Sequence, residues 1–279
     1  MKTPCLRWLR LPDSREPDDR NAPAATIRAA RIISENPFLN RVYRHWYARL
    51  IERLDGRLKG RNLVEIGSGG GFLKRLLPDL ITSEMAGIPG VDMHLDARAL
   101  PFAEGSLDAL LMIDVFHHIP DAAAFLRQAR FCLKPGGRIV MIEPANTLWG
   151  RFVYGRFHHE DFDPGGDWKT RGSGRLSSGN GALPWIVFLR DRDRLRREFP
   201  ELRMGRTDLF MPFAYLLSGG LTFRRLLPGR AFPLVRGLEK MLSPLHKYLG
   251  MFMTVELMKV ADSGKRAIPP VPTSPGEAA

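Results

Sequence analysis

A chain of 279 residues, 44% apolar and 26% charged, has the length and composition of one α/β domain with an elaborated C-terminal part, and it can bury a sizeable core. Two cysteines, Cys5 and Cys132, exclude a disulfide framework; no apolar run reaches bilayer-spanning length; and residues 1–19 lack the apolar centre of a secretion signal, so a cytoplasmic chain is expected. The formal net charge of +12 keeps nucleic acid and anionic membrane surfaces in view as partners.

Residues 1–25, rich in Pro, Asp and Arg, read as a tail. Residues 26–58 carry helical spacing, with Ile27, Ile32 and Ile33, then Val42, Trp46, Leu50, Ile51 and Leu54, and Pro37 divides them into two helices. Leu63, Val64, Glu65 and Ile66 then run as a strand into Gly67, Ser68, Gly69, Gly70 and Gly71, followed by the helix-like Phe72, Leu73, Lys74, Arg75. A buried strand, a tight turn and a helix start can hold a nucleotide-like ligand against bare backbone. A dinucleotide site would carry G-x-G-x-x-G, and Phe72 stands where its third glycine belongs. The chain reads E-x-G-x-G-x-G instead, at Glu65, Gly67, Gly69 and Gly71.

Further strands are predicted at 80–84, 91–96, 107–113 and 138–143, with an amphipathic helix over 122–133 started by Pro120-Asp121 and stopped at Pro135-Gly136. This alternation predicts a parallel sheet covered on both faces. Residues 145–180 read as a long irregular insertion with Trp149, Phe152, Tyr154 and Trp168, and residues 190–197 alternate Arg with Asp as a solvated helix face does. Residues 202–210 and 251–260 read as the last two strands, 211–250 as an insertion with turns at Gly219-Gly220 and Pro228-Gly229, and 262–279 as a second tail.

Over residues 62–144 the order and wording of these segments resemble class I S-adenosylmethionine-dependent methyltransferases, nearest to the small-molecule, quinone-methyltransferase-like branch. The separate matches are E-I-G-S-G-G-G at Glu65 to Gly71, D-A-R-A-L-P-F from Asp96, S-L-D-A-L-L-M-I-D-V-F-H-H-I from Ser106, and L-K-P-G-G-R-I-V-M-I-E-P from Leu133. The resemblance implies a Rossmann-like, doubly wound, seven-stranded, mostly parallel α/β sheet with an antiparallel last strand. It places one methyltransferase domain at 26–261, with helical cap insertions at 145–180 and 211–250 and helices at 26–58 over the substrate mouth, where Tyr43, Trp46 and Tyr47 stand.

S-adenosyl-L-methionine is the cofactor the resemblance implies. Gly67, Ser68, Gly69 and Gly71 would pass beneath its methionine part, with Glu65 either ordering the loop or touching the amino-acid end. Glu84, closing the second strand, would accept the ribose hydroxyls; Asp79, before that strand, is the rival and reads as a turn residue. Asp96 would accept from the adenine amino group or else act as a turn residue, Ala97 would lie beside the ring, and Asp114 sits where the fourth strand opens toward the sulfonium.

Catalytic candidates are His158 and His159, just past the fifth strand, and His118, each able to take a proton near neutrality. No metal is expected, because His117 and His118 as strand neighbours would point to opposite faces and no Cys cluster or His-x-x-x-His accompanies them. Methyl transfer from a sulfonium asks little of side chains, so the lack of an obvious catalytic pair does not count against the assignment. The expected activity is transfer of a methyl group to O or C of a small, hydrophobic acceptor, lipid-like, polyketide-like or carrier-linked. The rivals are a non-catalytic nucleoside-binding scaffold of the same fold and an RNA methyltransferase; no RNA-binding module is visible, and nucleic acid is not the expected partner. Arginines interleaved with apolar residues at 211–217 and 231–235 favour peripheral contact with an anionic membrane as the functional reading of the charge, a pocket cap being the alternative.

Overall fold

The computed structural model describes residues 10–11, 23–56, 58–157, 160–170 and 179–261. The strands are β1 (Leu63–Ile66), β2 (Ile81–Glu84), β3 (Met93–His94), β4 (Leu107–Ile113), β5 (Leu133–Pro144), β6 (Leu202–Met204), β7 (Asp208–Phe210) and β8 (Phe252–Lys259). They form one sheet in the order β3-β2-β1-β4-β5-β8-β6, with β7 also on β8. Strands β3, β2, β1, β4 and β5 run parallel, while β8 is antiparallel to β5, β6 and β7. This is the doubly wound, mostly parallel sheet with an antiparallel end. Its order reverses between β1 and β4, which opens a crevice beyond the strand ends there.

Strands buried on both faces should read as unbroken apolar runs, and residues 109–113 of β4 and 139–142 of β5 do. Leu110 and Met112 of β4 and Ile139 and Met141 of β5 belong to the core on one face, while Ala109, Leu111, Val140 and Ile142 belong to the core on the other. The first face packs against α3 (Ala122–Cys132), α5 (Leu183–Trp185) with the π turn that continues it (Ile186–Arg190), and Leu195 of α6 (Arg192–Glu198). The second carries α1 (Pro23–Glu35), α2 (Pro37–Glu52), α4 (Leu148–Phe157) and the short α7 (Ala214–Ser218). Two further helices, α8 (Phe232–Met241) and α9 (His246–Leu249), complete the insertion before β8.

Pro37 divides the first two helices because Asn36 caps the second: its Oδ1 accepts from the N–H groups of Phe38 and Leu39, at 3.1 and 3.2 Å. The Asn36 amide also donates to the Ser218 carbonyl at 2.8 Å, fixing α2 to the end of α7. Behind it Trp46, fully buried, stacks on Tyr215 at 5.6 Å.

Three local features differ from the sequence reading. The strand expected over 202–210 is two three-residue strands on one edge of β8, parted at Gly205, whose N–H donates to the Glu256 carbonyl. A side chain on Gly205 would lie 2.9 Å from the Glu256 carboxyl carbon, and that carboxylate is held by Arg53 and Arg138, so the edge steps around a fixed ion cluster. The third strand shrinks to Met93 and His94 because Asp92 turns back, accepting from Thr82 N–H and Oγ1 at 2.8 and 2.7 Å. Phe116, His117 and His118 form one 3-10 turn rather than the end of a strand. In addition, the first helix begins at Pro23, within the segment read as a tail.

Candidate cofactor and acceptor cavity

The glycine turn after β1 is left-handed at three points: φ is +68° at Gly67, +55° at Gly69 and +63° at Gly71. At Gly67 space is also closed, since a Cβ would lie 2.4 Å from Cγ2 of Val115. The short helix that follows is a single 3-10 turn, Phe72–Arg75. Ser68 ties the loop to β2: its N–H donates to the Ser83 carbonyl at 2.9 Å, and its Oγ donates to the Glu65 carbonyl and accepts from the Ser83 N–H. Glu84, at the end of β2, accepts from the Gly69 N–H at 2.8 Å.

A cavity of about 450 Å³ opens above this turn, within the range of small-molecule sites. Strand ends and their loops supply Gly67, Glu84, Leu95, Asp96, Ala97, Asp114 and His118 to its wall. The helices supply Ile32, Tyr43, Val153, Tyr154, Phe157, Tyr215 and Leu216, and Gly219, Leu221 and Phe223 close the side. Arg10 reaches the same wall, paired in a short antiparallel bridge with Phe223.

Of the cofactor residues singled out in the sequence, Gly67, Glu84, Asp96, Ala97 and Asp114 therefore line the cavity. Ser68 is buried behind it. Gly69 and Gly71 shape the turn without contributing to the wall. Asp79 is exposed and off the wall. Asp96 is clamped by its neighbour, accepting from the Arg98 N–H at 2.8 Å and pairing with its guanidinium, which is the main cause holding its carboxyl below the usual range.

Glu65 is 3% exposed, and its Oε2 has no hydrogen-bond partner among the described residues. Burial pushes its carboxyl up to about 8, against a hydrogen bond with Ser68 that lowers it and with the nearby Glu84 carboxylate adding to the rise. Below its ordinary value of 4.5 the group is protonated in both the folded and the unfolded chain; from there to about 8 only the folded chain keeps the proton, so stability falls as pH rises through this window. Glu65→Gln is expected to remove that fall. Urea midpoints taken from about pH 5 to about pH 9 should show a flatter profile for the variant, and parallel profiles would refute the assignment.

The 3-10 turn at 116–118 overturns the argument that its histidines diverge. The two rings lie 4.1 Å apart, and both face Glu160: His117 Nε2 is 3.2 Å from Oε2 and His118 Nε2 is 3.6 Å from Oε1. The three residues lie close enough to share an ion, so strand geometry is no ground against joint ligation. His117 is also anchored from behind, its Nδ1 2.7 Å from Oε2 of the fully buried Glu143. Burial would lower the imidazole, but the hydrogen bonds with Glu143 and Glu160 outweigh it and hold His117 well above its ordinary value as a buried cation. Asp114, at φ +60°, is pushed up to about 7 by burial; His117 works against this, and Glu143 and Glu160 add to it. His118 lines the cavity, whereas His158 and His159 lie outside the described residues.

Glu143, Tyr154 and Tyr215 were not singled out as site residues. Glu143 ends a strand in the sequence and shows its role only through Val115, Phe116 and His117, 26 to 28 residues earlier. The tyrosines come from α4 and α7 and meet only in the fold.

A glycine turn at the reversal point of a doubly wound sheet, with an acid closing β2 against it and a cavity beyond the strand ends, defines a domain of the methyltransferase type. The sequence profile described as methyltransferase domain matches residues 37–206, and the chain belongs to that family, whose cofactor is S-adenosylmethionine. A probable S-adenosylmethionine-dependent methyltransferase of Mycolicibacterium smegmatis is 27% identical over 117 residues, 36% of this chain and 46% of that protein. A ubiquinone biosynthesis O-methyltransferase of Paramagnetospirillum magneticum is 30% identical over 104 residues, 31% of this chain and 41% of that one. The chain thus spans less than half the length of these curated relatives. Among solved structures, a chain from the complex between the Haloferax volcanii Trm112 methyltransferase activator and the putative methyltransferase shares the fold, at 16% identity and TM-score 0.50, over 88% of this chain and 98% of its own.

Proposed function

We propose that this chain transfers a methyl group from S-adenosylmethionine to oxygen or carbon of a small apolar acceptor. The observation that carries the reading is the composition of the cavity: strand ends with three acids, Glu84, Asp96 and Asp114, on one part of its wall, and aromatic and aliphatic side chains from α1, α2, α4 and α7 on another. The residues fit the cofactor. Glu84 and Asp96 offer carboxylate acceptors to ribose and adenine, and the turn at Gly67 leaves backbone bare, while Glu65 is buried behind the turn and is not part of the cavity wall. When bound, S-adenosylmethionine supplies an electrophilic methyl group.

The chain's own task is then to orient the acceptor and exclude water. Tyr154, buried, and Tyr43 and Tyr215, half-buried, line the cavity with Asp114 and offer a rigid wall for a flat or aliphatic acceptor. For a hydroxyl acceptor, His118, Asp114 and Glu160 are cavity groups able to receive a proton. Turnover of tritiated S-adenosylmethionine against a panel of phenolic, quinol and prenyl acceptors tests the reading. Transfer to at least one apolar acceptor is expected; tight cofactor binding with no transfer to any class would favour a non-catalytic scaffold, and transfer to RNA alone would overturn the small-acceptor proposal.

A further inference from the structure

The insertion between β7 and β8 carries a distribution of charge and apolar surface that neither the sheet nor the cavity requires. Between Phe210 and Glu256 the chain holds six Lys or Arg and a single acid, Glu239. That acid is fully buried: Arg236 pairs with it, and it accepts from the N–H groups of Phe213 and Ala214 at 2.9 and 2.7 Å. Arg224, Arg225, Arg230, Lys240 and Lys247 are left exposed, with no exposed acid in their own segment to answer them.

Helix α8 turns Val235 and Glu239 inward and the opposite row outward. Leu234, Leu238 and Met241 stand at i, i+4 and i+7 on one face and are 79%, 50% and 79% exposed. Leu245 and Tyr248, both exposed, continue at the same spacing into α9. In turn α9 packs against α4, whose Leu148 and Phe152 are exposed. Helix α4 also carries Arg151 and Arg156, and residues 145–157 contain no acid.

Clustered large apolar side chains on one exposed face mark an interaction surface. We propose that α8, continued by α9 and joined by the exposed side of α4, docks on an anionic phospholipid bilayer. Its apolar row has the width of an interfacial helix, and its cations complement phosphate headgroups. Two copies packed face to face would instead set Lys240 and Lys247 of each against those of the other, with no exposed carboxylate from the segment between them. No helix of the described residues is long and apolar enough to cross a membrane, which fits attachment at the surface. The same insertion supplies Leu216, Gly219 and Phe223 to the cavity wall, so docking would hold the cavity beside lipid whatever the acceptor.

Co-sedimentation of the full chain with phosphatidylcholine vesicles, with and without phosphatidylglycerol, tests this. Binding is expected only with the anionic lipid and should weaken as salt is raised. The variant Leu234→Ser/Leu238→Ser/Met241→Ser should lower partitioning about tenfold or more, and Lys240→Ser/Lys247→Ser several-fold, both keeping the far-ultraviolet spectrum and S-adenosylhomocysteine binding. Should the triple variant fail to fold, the lysine pair decides. Absence of wild-type binding to anionic vesicles overturns the proposal, as does binding that the folded variants retain. A concentration-dependent dimer in sedimentation velocity that the triple variant dissolves, without vesicle binding, assigns the face to a second copy.

Discussion

Glu143→Ala is expected to cost about 3–5 kcal/mol of folding stability, the range for breaking one side of a buried charge pair. The carboxylate is fully buried at the end of β5 and serves three donors: the N–H groups of Val115 and Phe116, at 2.9 and 2.7 Å, and Nδ1 of His117 at 2.7 Å. Alanine would strand two backbone donors and an imidazolium where water has little access. Unpartnered buried groups cost more than the net worth of the bonds they made. Urea unfolding should show a lower midpoint at an unchanged slope. A loss below about 1 kcal/mol would mean that Glu160, already 3.2 Å from His117, takes over the charge.

Glu84→Ala should weaken S-adenosylhomocysteine binding by about ten- to a hundredfold, the worth of one or two charge-assisted hydrogen bonds. The side chain lines the cavity, is 6% exposed and holds the Gly69 N–H, so its loss removes an acceptor from the wall and a tie from the glycine turn. Calorimetric titration measures the effect. Asp79→Ala is the control: Asp79 is exposed and contributes nothing to the wall, so its removal should leave the affinity unchanged. Equal affinities for wild type and Glu84→Ala, or a loss confined to Asp79→Ala, would move the ribose assignment away from β2.

What could be read from the sequence was what local pattern and short spacing encode. Residues 109–113 of β4 and 139–142 of β5 are apolar runs, because a strand buried on both faces leaves no room for alternation, and the doubly wound arrangement of β1 to β5 is what the resemblance to methyltransferases implied. The glycine turn announced itself because three left-handed positions in five residues demand glycine. What stayed hidden depends on contacts between distant residues. The break at Gly205 is set by the Glu256 carboxylate with Arg53 and Arg138, and no local signal in 202–210 reports it. The convergence of His117 and His118 depends on Glu143 and Glu160, so a reading confined to neighbours placed the rings on opposite faces. One wall of the cavity joins Tyr154 of α4 and Tyr215 of α7, more than sixty residues apart, beyond the reach of any periodicity.

The division of the outer strand has a consequence for assembly. A long, flat sheet edge offers unpaired N–H and C=O groups on which another chain can add a strand. Here β6 and β7 each offer three residues, interrupted at Gly205, and β3 at the opposite margin offers two. Neither margin is long enough to template a foreign backbone, so the sheet is closed to propagation at both ends. Among the described residues, association is therefore expected through side-chain surfaces such as the exposed row of α8 rather than through main-chain hydrogen bonds at a sheet edge.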